Sequence, residues 1–524
     1  MISKMNRARR ARRLASLAAA LALPAALMLS ACSTSTAASE GGASPSAADE
    51  LVIGSSYEHE GFDPMNPVSA SANGERLVSV LDTLLRVAPD GSTVGQLAES
   101  MESKDGLTWT LKLREGVTFT DDTPLDADAV IYNIERHRAP DSPSSSKLLL
   151  ADLVSLTASD DRTVVFMLGK PNFSFPYLFT ASGALGLIGS PTALEADAEG
   201  FNRAPIGAGP YIVEEWVPDD HVTMTANPDY WAGEPAVKTL TYRVLPDPQS
   251  RENALVAGEV DIATIAGNLE TVTSNDKLVA HTQGARGGMA LLPNTSVAPL
   301  NDQRVRTAVQ LAFDPANSKQ VFFGSSDIWD GASDNCLPFG AEQAQCEPST
   351  VKHDLEKAKK LVAEYVADGN SPAIEILTTA YLGSYGEYVD QVLKSIGLES
   401  TINSESPADY IPTLYGGKYV LGMWQMVPSD SFYPLGYTIF SSTARNVIQQ
   451  QDAEFQAAIE AGVNSDTQEG RDAGMRAMQQ EWNDKALVTW LSPIPQVLVS
   501  QKNVDMGDDY LGGFAFYPAD ITVS

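Results

Sequence analysis

The stretch from Glu50 to Ser524 is too long for one hydrophobic core, and this limit constrains the fold more than any local pattern. It contains 475 residues (524 − 49), whereas a single core stops growing at about 250–300 residues. Apolar residues recur with helical spacing in some segments and with strand spacing in others. The chain is therefore expected to form at least two lobes of mixed α/β structure.

The expected helices and strands follow from this spacing. In Leu107–Leu113 apolar and polar residues alternate, which predicts a half-buried strand with Trp109 in the core. Asp126 precedes an apolar stripe and is the expected N-cap of a helix, and Leu77–Leu85 also has helical spacing. Further predicted strands are 51–55, 163–168, 211–217 paired with 221–226 as a hairpin, 237–245, 373–377 and 419–424; further helices are 249–257, 304–313, 355–367 and 453–461.

Residues 1–31 have the pattern of a secretory signal. A head with six basic and no acidic residues precedes the apolar run Leu14–Leu29. The run is shorter than the ~20 apolar residues needed to cross a bilayer. Leu29-Ser30-Ala31-Cys32 resembles the bacterial lipobox, which implies that Cys32 is acylated and anchors the mature chain to the cell membrane from outside the cytoplasm. An ordinary export signal with an incidental cysteine is the alternative, and paired arginines in the head also permit twin-arginine export.

The charge of the mature chain excludes some partners. Cleavage before Cys32 leaves 524 − 31 = 493 residues with a net charge of about (36 − 6) − 67 = −37. Such a balance argues against binding to nucleic acid or to anionic lipid. Ser33–Asp49, rich in Ser, Thr, Ala and Gly, predicts a flexible spacer between the anchor and the folded part.

Two cysteines remain after Cys32, and they lie ten positions apart. Thiols outside the cytoplasm tend to oxidise, so Cys336 and Cys346 are expected to form a disulfide. Metal ligation is the alternative, but the segment has neither CxxC spacing nor a nearby histidine. No cofactor and no metal are expected.

Two motifs point to tight packing rather than to chemistry. Gly207 and Gly209 are followed by Pro210 and a strand, whereas a nucleotide loop would open a helix. These glycines are expected to make a turn with close backbone approach. Tyr230 and Trp231, which follow Asn227-Pro228, are assigned a packing role.

Four stretches together resemble the family-5 extracellular solute-binding proteins, the peptide-, nickel- and opine-binding receptors of ABC importers. The stretches are 83–136, 205–233 with its Gly-x-Gly-Pro-Tyr and Asn-Pro-x-Tyr-Trp segments, 254–263 and 299–314. They occur in the family's order, and the resemblance covers nearly all of residues 51–524.

The resemblance implies an α/β fold of the periplasmic-binding-protein type (type II, cluster C). Two lobes would enclose a ligand cleft and close over it by a hinge motion. Lobe I would comprise 50–80, 203–292 and 496–524; 81–202 would be an inserted subdomain, and 293–495 would be lobe II.

The first ligand-binding segment that the resemblance implies follows the opening strand. Tyr57, Glu58 and His59 occupy positions where family members contact ligand. A surface loop histidine is the alternative for His59. Catalytic zinc is disfavoured, because the chain has five histidines and no HExxH motif.

The second segment that the resemblance implies is 419–440. Trp424 stands where peptide-binding relatives also carry a tryptophan and is expected to stack on ligand, and Tyr433 offers another flat face, with core packing as its alternative. Peptide-binding relatives carry an aspartate three residues after this tryptophan to pair with the peptide α-ammonium. Here that position is Val427, and Asp430 matches a second aspartate found in some relatives. Loss or displacement of the counter-charge should change the class of ligand.

A third set of residues completes the predicted site. Trp490 lies where relatives place a ligand-facing aromatic residue, and Arg445 and Asn446 are candidates for polar contacts.

The expected function is that of a monomeric receptor which captures a small solute outside the membrane and delivers it to an ABC permease and its ATPase. Peptide or peptide-like ligands come first, with oligosaccharide, opine or metal chelate as alternatives. An enzyme is not expected, because the sequence has no GxSxG motif and no Cys–His nucleophile pair. An exported hydrolase with an acidic cleft and a sensor or interaction protein are the rival classes.

Overall fold

A computed structural model describes most of the chain after the spacer. The described residues are 49–59, 61–66, 74–88, 92–266, 269–281, 288–323, 351–379, 382–426, 439–443, 445–493, 496–507 and 516–524. All of them belong to one structural unit, Pro45–Ser524.

A strand lies at each of the eight predicted positions, and the described residues contain twelve further strands that were not predicted. Tyr211–Val217 and His221–Ala226 form the predicted hairpin with the predicted bounds. In chain order the strands are β1 Glu50–Ser55, β2 Leu85–Val87, β3 Thr93–Gly95, β4 Ala98–Glu102, β5 Thr108–Leu113, β6 Leu153–Asp160, β7 Thr163–Leu168, β8 Tyr211–Val217, β9 His221–Ala226, β10 Thr239–Val244, β11 Ile262–Ala266, β12 Leu278–His281, β13 Gly288–Pro293, β14 Ala373–Thr379, β15 Glu399–Glu405, β16 Leu421–Met426, β17 Thr489–Pro493, β18 Gln496–Gln501, β19 Val504–Asp505 and β20 Thr522–Val523.

Helices alternate with the strands along the chain, and one of them starts at the predicted cap. The side chain of Asp126 accepts a hydrogen bond from the amide of Ala129, which confirms the predicted N-cap. In chain order the α-helices are α1 Gly74–Leu81, α2 Ala127–Arg138, α3 Pro191–Ala196, α4 Ala198–Phe201, α5 Pro248–Ala257, α6 Glu270–Thr273, α7 Gln303–Ala312, α8 Pro315–Phe323, α9 Leu355–Ala367, α10 Gly383–Ser395, α11 Pro407–Tyr415, α12 Ala453–Val463 and α13 Gln468–Asp484. Within the described ranges, no helix is long and apolar enough to cross a membrane.

Several predicted bounds differ from the structure by one or more residues, and two of these differences have a local cause. The helix predicted over 77–85 ends at Leu81, because Asp82 adopts a left-handed backbone (φ +57°) and the chain turns into β2. The strand predicted over 419–424 begins at Leu421. The carbonyl of Tyr419 instead accepts a hydrogen bond from the side-chain amide of Asn294, at 2.9 Å.

Three larger sheets organise the fold. The seven-stranded sheet has the order β12-β18-β11-β1-β10-β9-β8, and the five-stranded sheet has the order β15-β14-β16-β13-β17. A four-stranded antiparallel sheet, β4-β5-β7-β6, lies within the segment predicted as the inserted subdomain. The segments predicted for lobe I supply every strand of the seven-stranded sheet, whereas the predicted boundary at 292/293 falls inside β13.

The chain passes between the two largest sheets at one edge of each. Edge strand β12 is followed by β13, the second strand of the five-stranded sheet, and edge strand β17 is followed by β18, the second strand of the seven-stranded sheet. Both passages, after His281 and after Pro493, therefore join the same two edges.

Close packing of the Gly-x-Gly-Pro-Tyr segment on the end of α1 confirms the predicted role of its glycines. The amide of Gly209 donates to the carbonyl of Val80 at 2.8 Å, and the carbonyl of Gly207 accepts from the amide of Thr120 at 2.9 Å. A Cβ on Gly207 would stand 2.1 Å from the oxygen of Val80, and one on Gly209 would stand 2.5 Å from it. Only glycine fits at these two positions.

The Asn-Pro-x-Tyr-Trp segment packs as predicted and also holds a buried acid. Tyr230 is 6% exposed, and Trp231 packs against the core that includes Trp109. The Tyr230 hydroxyl and the Trp231 indole donate to Asp82 Oδ2 at 2.9 and 3.0 Å. Gln96 Nε2 donates to Asp82 Oδ1 at 3.1 Å. Burial raises the pKa of Asp82, so these donors stabilise a carboxyl group that would otherwise be costly to bury.

Candidate functional site

Strand order brings two sets of predicted residues to the junction of the two largest sheets. Strands β10, β1 and β11 are parallel, and Ala266 at the carboxyl end of β11 pairs with Gln496, the first residue after a passage between the sheets. The carboxyl ends of these parallel strands therefore face the passages. Ligands of open α/β sheets bind beyond the carboxyl ends of the strands.

The segment just past β1 is held by a buried arginine that the sequence analysis missed. Arg76 is fully buried, and its Nη2 donates to the carbonyl of Tyr57 at 3.0 Å and to the hydroxyl of Ser55. The side chain of Tyr57 is 37% exposed. An arginine inside the apolar face of α1 is the sequence signal that would have pointed to this contact.

Glu58 binds the turn of the β8–β9 hairpin. Its carboxylate accepts from the indole of Trp216 at 3.2 Å and from the amide of Asp219 at 2.6 Å. Asp219 is the turn residue with a left-handed backbone, at φ +63°.

His59 is buried, so the alternative of a surface loop histidine is wrong. It is 1% exposed, and its ring lies 4.0 Å from Phe62 and 4.6 Å from Trp216, between centroids. Neither ring nitrogen has a hydrogen-bond partner among the described residues. Burial, together with the nearby charges of Arg76 and Arg203, lowers the pKa of His59 to about 3, so the ring is neutral.

On the five-stranded sheet, two predicted tryptophans flank one alanine. Ala290 of β13 pairs with Trp424 of β16 on one side and with Trp490 of β17 on the other. Cross-strand partners project from the same face of a sheet. The two indoles therefore lie on the same face of the sheet, and the small side chain between them is the methyl group of Ala290. Both tryptophans are close to the two passages.

The two tryptophans differ in exposure. Trp424 is half-buried, whereas Trp490 is 7% exposed and lies 6.2 Å from the ring of Trp482. A Cβ on Gly288 would meet the Trp490 ring at 3.2 Å, so that indole lies over the start of β13.

Arg445 joins Trp424 through a tyrosine that the sequence analysis did not single out. The Arg445 guanidinium carbon lies 4.1 Å over the ring of Tyr415, and the Tyr415 ring lies 5.5 Å from that of Trp424 at an interplanar angle of 33°. We name this group the Arg445–Tyr415–Trp424 stack.

The side chain of Asn446 forms hydrogen bonds within its own loop. Its amide donates to the carbonyl of Gln450, and its oxygen accepts from the amide of Gln450, both at 2.8 Å. The residue has a left-handed backbone (φ +47°) and is 8% exposed. In this arrangement Asn446 shapes the loop that carries Arg445.

The remaining predicted residues lie outside the described part of the chain. They are Asp430 and Tyr433 of the second segment, the lipidation residue Cys32 and the disulfide residues Cys336 and Cys346.

The sequence from 92 to 447 matches the model of a protein family described as "Bacterial extracellular solute-binding proteins, family 5 Middle". This match covers more than half of the chain. The chain belongs to this family. Members of the family are extracytoplasmic binding proteins that bind solutes and work with ABC permease and ATPase subunits.

One curated relative and two solved structures show how far the similarity extends. The chain is 30% identical to the "Probable di/tripeptide-binding protein 5" of Pseudomonas aeruginosa over 351 residues, which is 61% of this chain and 65%, just under two thirds, of the relative. The structure of the periplasmic binding protein DppA from Helicobacter pylori with peptide STSA has a TM-score of 0.77 at 21% identity and covers 90% of this chain and 98% of that one. The structure of AgaA from A. tumefaciens R10 with agropinic acid has a TM-score of 0.78 at 20% identity, covering 91% and 99%. These likenesses confirm the predicted two-lobed type II fold.

Proposed function

We propose that this protein is the receptor of an ABC importer, capturing a small solute outside the membrane and delivering it unaltered to a permease. The observation that carries the proposal is the placement of Tyr57 and of the Trp424–Ala290–Trp490 row at the junction of two sheets joined by two passages. Closure about such a junction traps a ligand without any chemical step. A micromolar Kd, about −8 kcal/mol, suits capture followed by release.

The division into lobes follows the sheets. Lobe I carries the seven-stranded sheet, residues 81–202 form the inserted subdomain, and lobe II carries the five-stranded sheet. We place the start of lobe II before Gly288 rather than at 293, because β13 pairs with β16 and β17.

The proposed ligand is a peptide or peptide-like solute, with an opine, an oligosaccharide or a metal chelate as alternatives. The similar proteins support this range, since one is described as a di/tripeptide-binding protein and another was solved with agropinic acid. Val427 stands where peptide-binding relatives carry the aspartate that pairs with the peptide ammonium, which favours a peptide-like solute over a free peptide.

Replacing Trp424 by alanine is expected to weaken solute binding by about 30-fold or more, because a large half-buried aromatic face at the site is lost. The solute is first released from protein purified from its own host and identified by mass spectrometry. Titration calorimetry with that solute then compares wild type, Trp424→Ala and the matched control Trp424→Phe, which keeps a flat ring. Unchanged affinity of Trp424→Ala, with native circular dichroism, would contradict this placement of the site.

We further propose that acylated Cys32 anchors the mature chain to the cell membrane and that Cys336 and Cys346 form a disulfide. Cys32→Ala is expected to move the protein from the membrane fraction to the soluble extracytoplasmic fraction, because the acylated side chain is gone. Cys336→Ala is the control and should stay in the membrane fraction. A Cys32→Ala protein that still carries lipid by mass spectrometry would exclude the lipobox interpretation.

A further inference from the structure

The residues that follow β1 are held by three different parts of the molecule. We name residues 55–59 and 61–66 the post-β1 segment, which leaves β1 at the junction of the two largest sheets and contains Tyr57. Arg76 of α1 donates to the carbonyl of Tyr57, and the β8–β9 hairpin binds Glu58. The third part is the proposed inserted subdomain, which binds the far end of the segment.

The contact with the inserted subdomain is an ion pair between Arg136 of α2 and Asp63. Nη1 and Nη2 of Arg136 donate to Oδ1 and Oδ2 of Asp63 at 3.2 and 2.6 Å. The two side chains are 19% and 12% exposed, so the pair is largely shielded from water. A bidentate pair fixes the orientation of the carboxylate as well as its position, and shielding from water and salt makes it stronger than an exposed pair.

Asp63 in turn orders the residues around it. Its Oδ1 accepts from the amide of Met65, and its carbonyl accepts from the amide of Asn66, both at 3.0 Å. The amide of Asp63 donates to Asn202 Oδ1 at 3.0 Å, and the amide of Phe62 donates to the Asn202 carbonyl at 3.3 Å. Asn202 is the last residue of the proposed inserted subdomain, which therefore holds the post-β1 segment at two points.

We propose that Arg136 is a positioning residue for solute binding. Through Asp63 it fixes the post-β1 segment, and with it Tyr57, in the place that the captured solute requires. This proposal rests on the proposed receptor function. It gives the inserted subdomain a part in binding that needs no contact with the solute.

Preorganisation is the reason for an effect on affinity. A segment that moves in the free protein loses conformational entropy when the protein closes over a solute, and this loss weakens binding. In the wild type the bidentate pair restrains the segment before the solute arrives. Without Arg136, the entropy loss falls on the binding step, and the largely buried carboxylate of Asp63 loses its counter-charge.

The test removes the ion pair and follows both the segment and the affinity. Arg136→Met keeps a long side chain without the charge and the donors. Amide hydrogen exchange, measured by mass spectrometry, is expected to become about tenfold faster in residues 61–66 and to stay unchanged in β5. Titration calorimetry of the full mature chain uses trialanine, N-acetyl-trialanine and the solute released from host-purified protein. The affinity for each of these that binds wild type is expected to fall about tenfold.

Two comparisons separate positioning from a general effect of the substitution. Arg138→Met is the matched control, because Arg138 lies on the same helix and pairs with Glu135 of that helix. It is expected to leave exchange and affinity within about twofold of wild type. Asp63→Asn should weaken binding as Arg136→Met does, and the double variant should bind no more weakly than the single variants, since both remove one interaction. Arg136→Lys, which keeps the charge, should recover part of the affinity.

Each outcome decides the proposal. Unchanged affinity or unchanged exchange of residues 61–66 in a natively folded Arg136→Met overturns it while the receptor function stands. A double variant whose loss of affinity is the sum of the two single losses also overturns it, as does faster exchange throughout the protein. If wild type binds no probe and host-purified protein releases no solute, the receptor function fails, and this proposal fails with it.

Discussion

Gly207→Ala is expected to lower the free energy of unfolding by about 3 kcal/mol or more. The added Cβ would stand 2.1 Å from the carbonyl oxygen of Val80 and 2.8 Å from the Cα of Leu81, so backbone atoms of α1 must move. Movement there also disturbs the hydrogen bond from Gly209 to Val80. Urea unfolding followed by far-ultraviolet circular dichroism measures the loss.

The matched control is Gly74→Ala, at the other end of the same helix. A Cβ on Gly74 would meet no atom within 4 Å, and alanine reduces the entropy of the unfolded chain. This variant is expected to change stability by less than about 1 kcal/mol, in the stabilising direction. Equal stability of the two variants would contradict the expectation, because it would show that the backbone at the end of α1 can shift to make room for the added Cβ at little cost.

Acid is expected to destabilise the fold through two buried histidines. Burial lowers the pKa of His59 to about 3 and that of His137 to about 4, from 6.5, with nearby arginines adding to both shifts. Below pH 6.5 these two histidines bind protons in the unfolded chain but remain neutral in the folded chain. The free energy of unfolding therefore decreases as pH falls from 6.5 toward 4. By pH 4 the loss is about 3 kcal/mol for each histidine.

The double variant His59→Leu/His137→Leu isolates this effect from the titration of carboxyl groups. Its free energy of unfolding should fall less steeply than that of wild type between pH 6.5 and pH 4, by about 6 kcal/mol over the range. The single variant His59→Leu should account for about half of this difference. Parallel pH profiles for wild type and double variant would refute the buried-neutral assignment of both rings.

Much of the fold could be predicted because its signals are local. The bounds of β8 and β9 follow from two segments rich in β-branched and aromatic residues that are joined by Pro218-Asp219-Asp220, and the start of α2 follows from Asp126. The helix end at Leu81 could not be predicted, since Leu84 and Leu85 continue the apolar spacing. It depends on Asp82, whose carboxyl group is held by partners as distant as Tyr230 and Trp231.

The site was less predictable because its contacts join distant parts of the chain. Trp424 and Trp490 were found through family resemblance, but their common neighbour Ala290 follows only from strand order. His59 was expected near ligand, yet Trp216 and Phe62 enclose it. Tyr415 carries no motif, and its role depends on contacts with two other segments.

In the closure proposed above, the position of the two passages sets how far each part of the molecule moves. Both passages join sheet edges, so the opposite edges, β15 and β8, stand about 19 and 29 Å away across the sheets, at ~4.8 Å per strand. In a rotation about the passages, the displacement of a strand increases with its distance from the passages. Under the proposed receptor function, small shifts of residues near the axis, such as Trp490, become larger displacements at the two far edges.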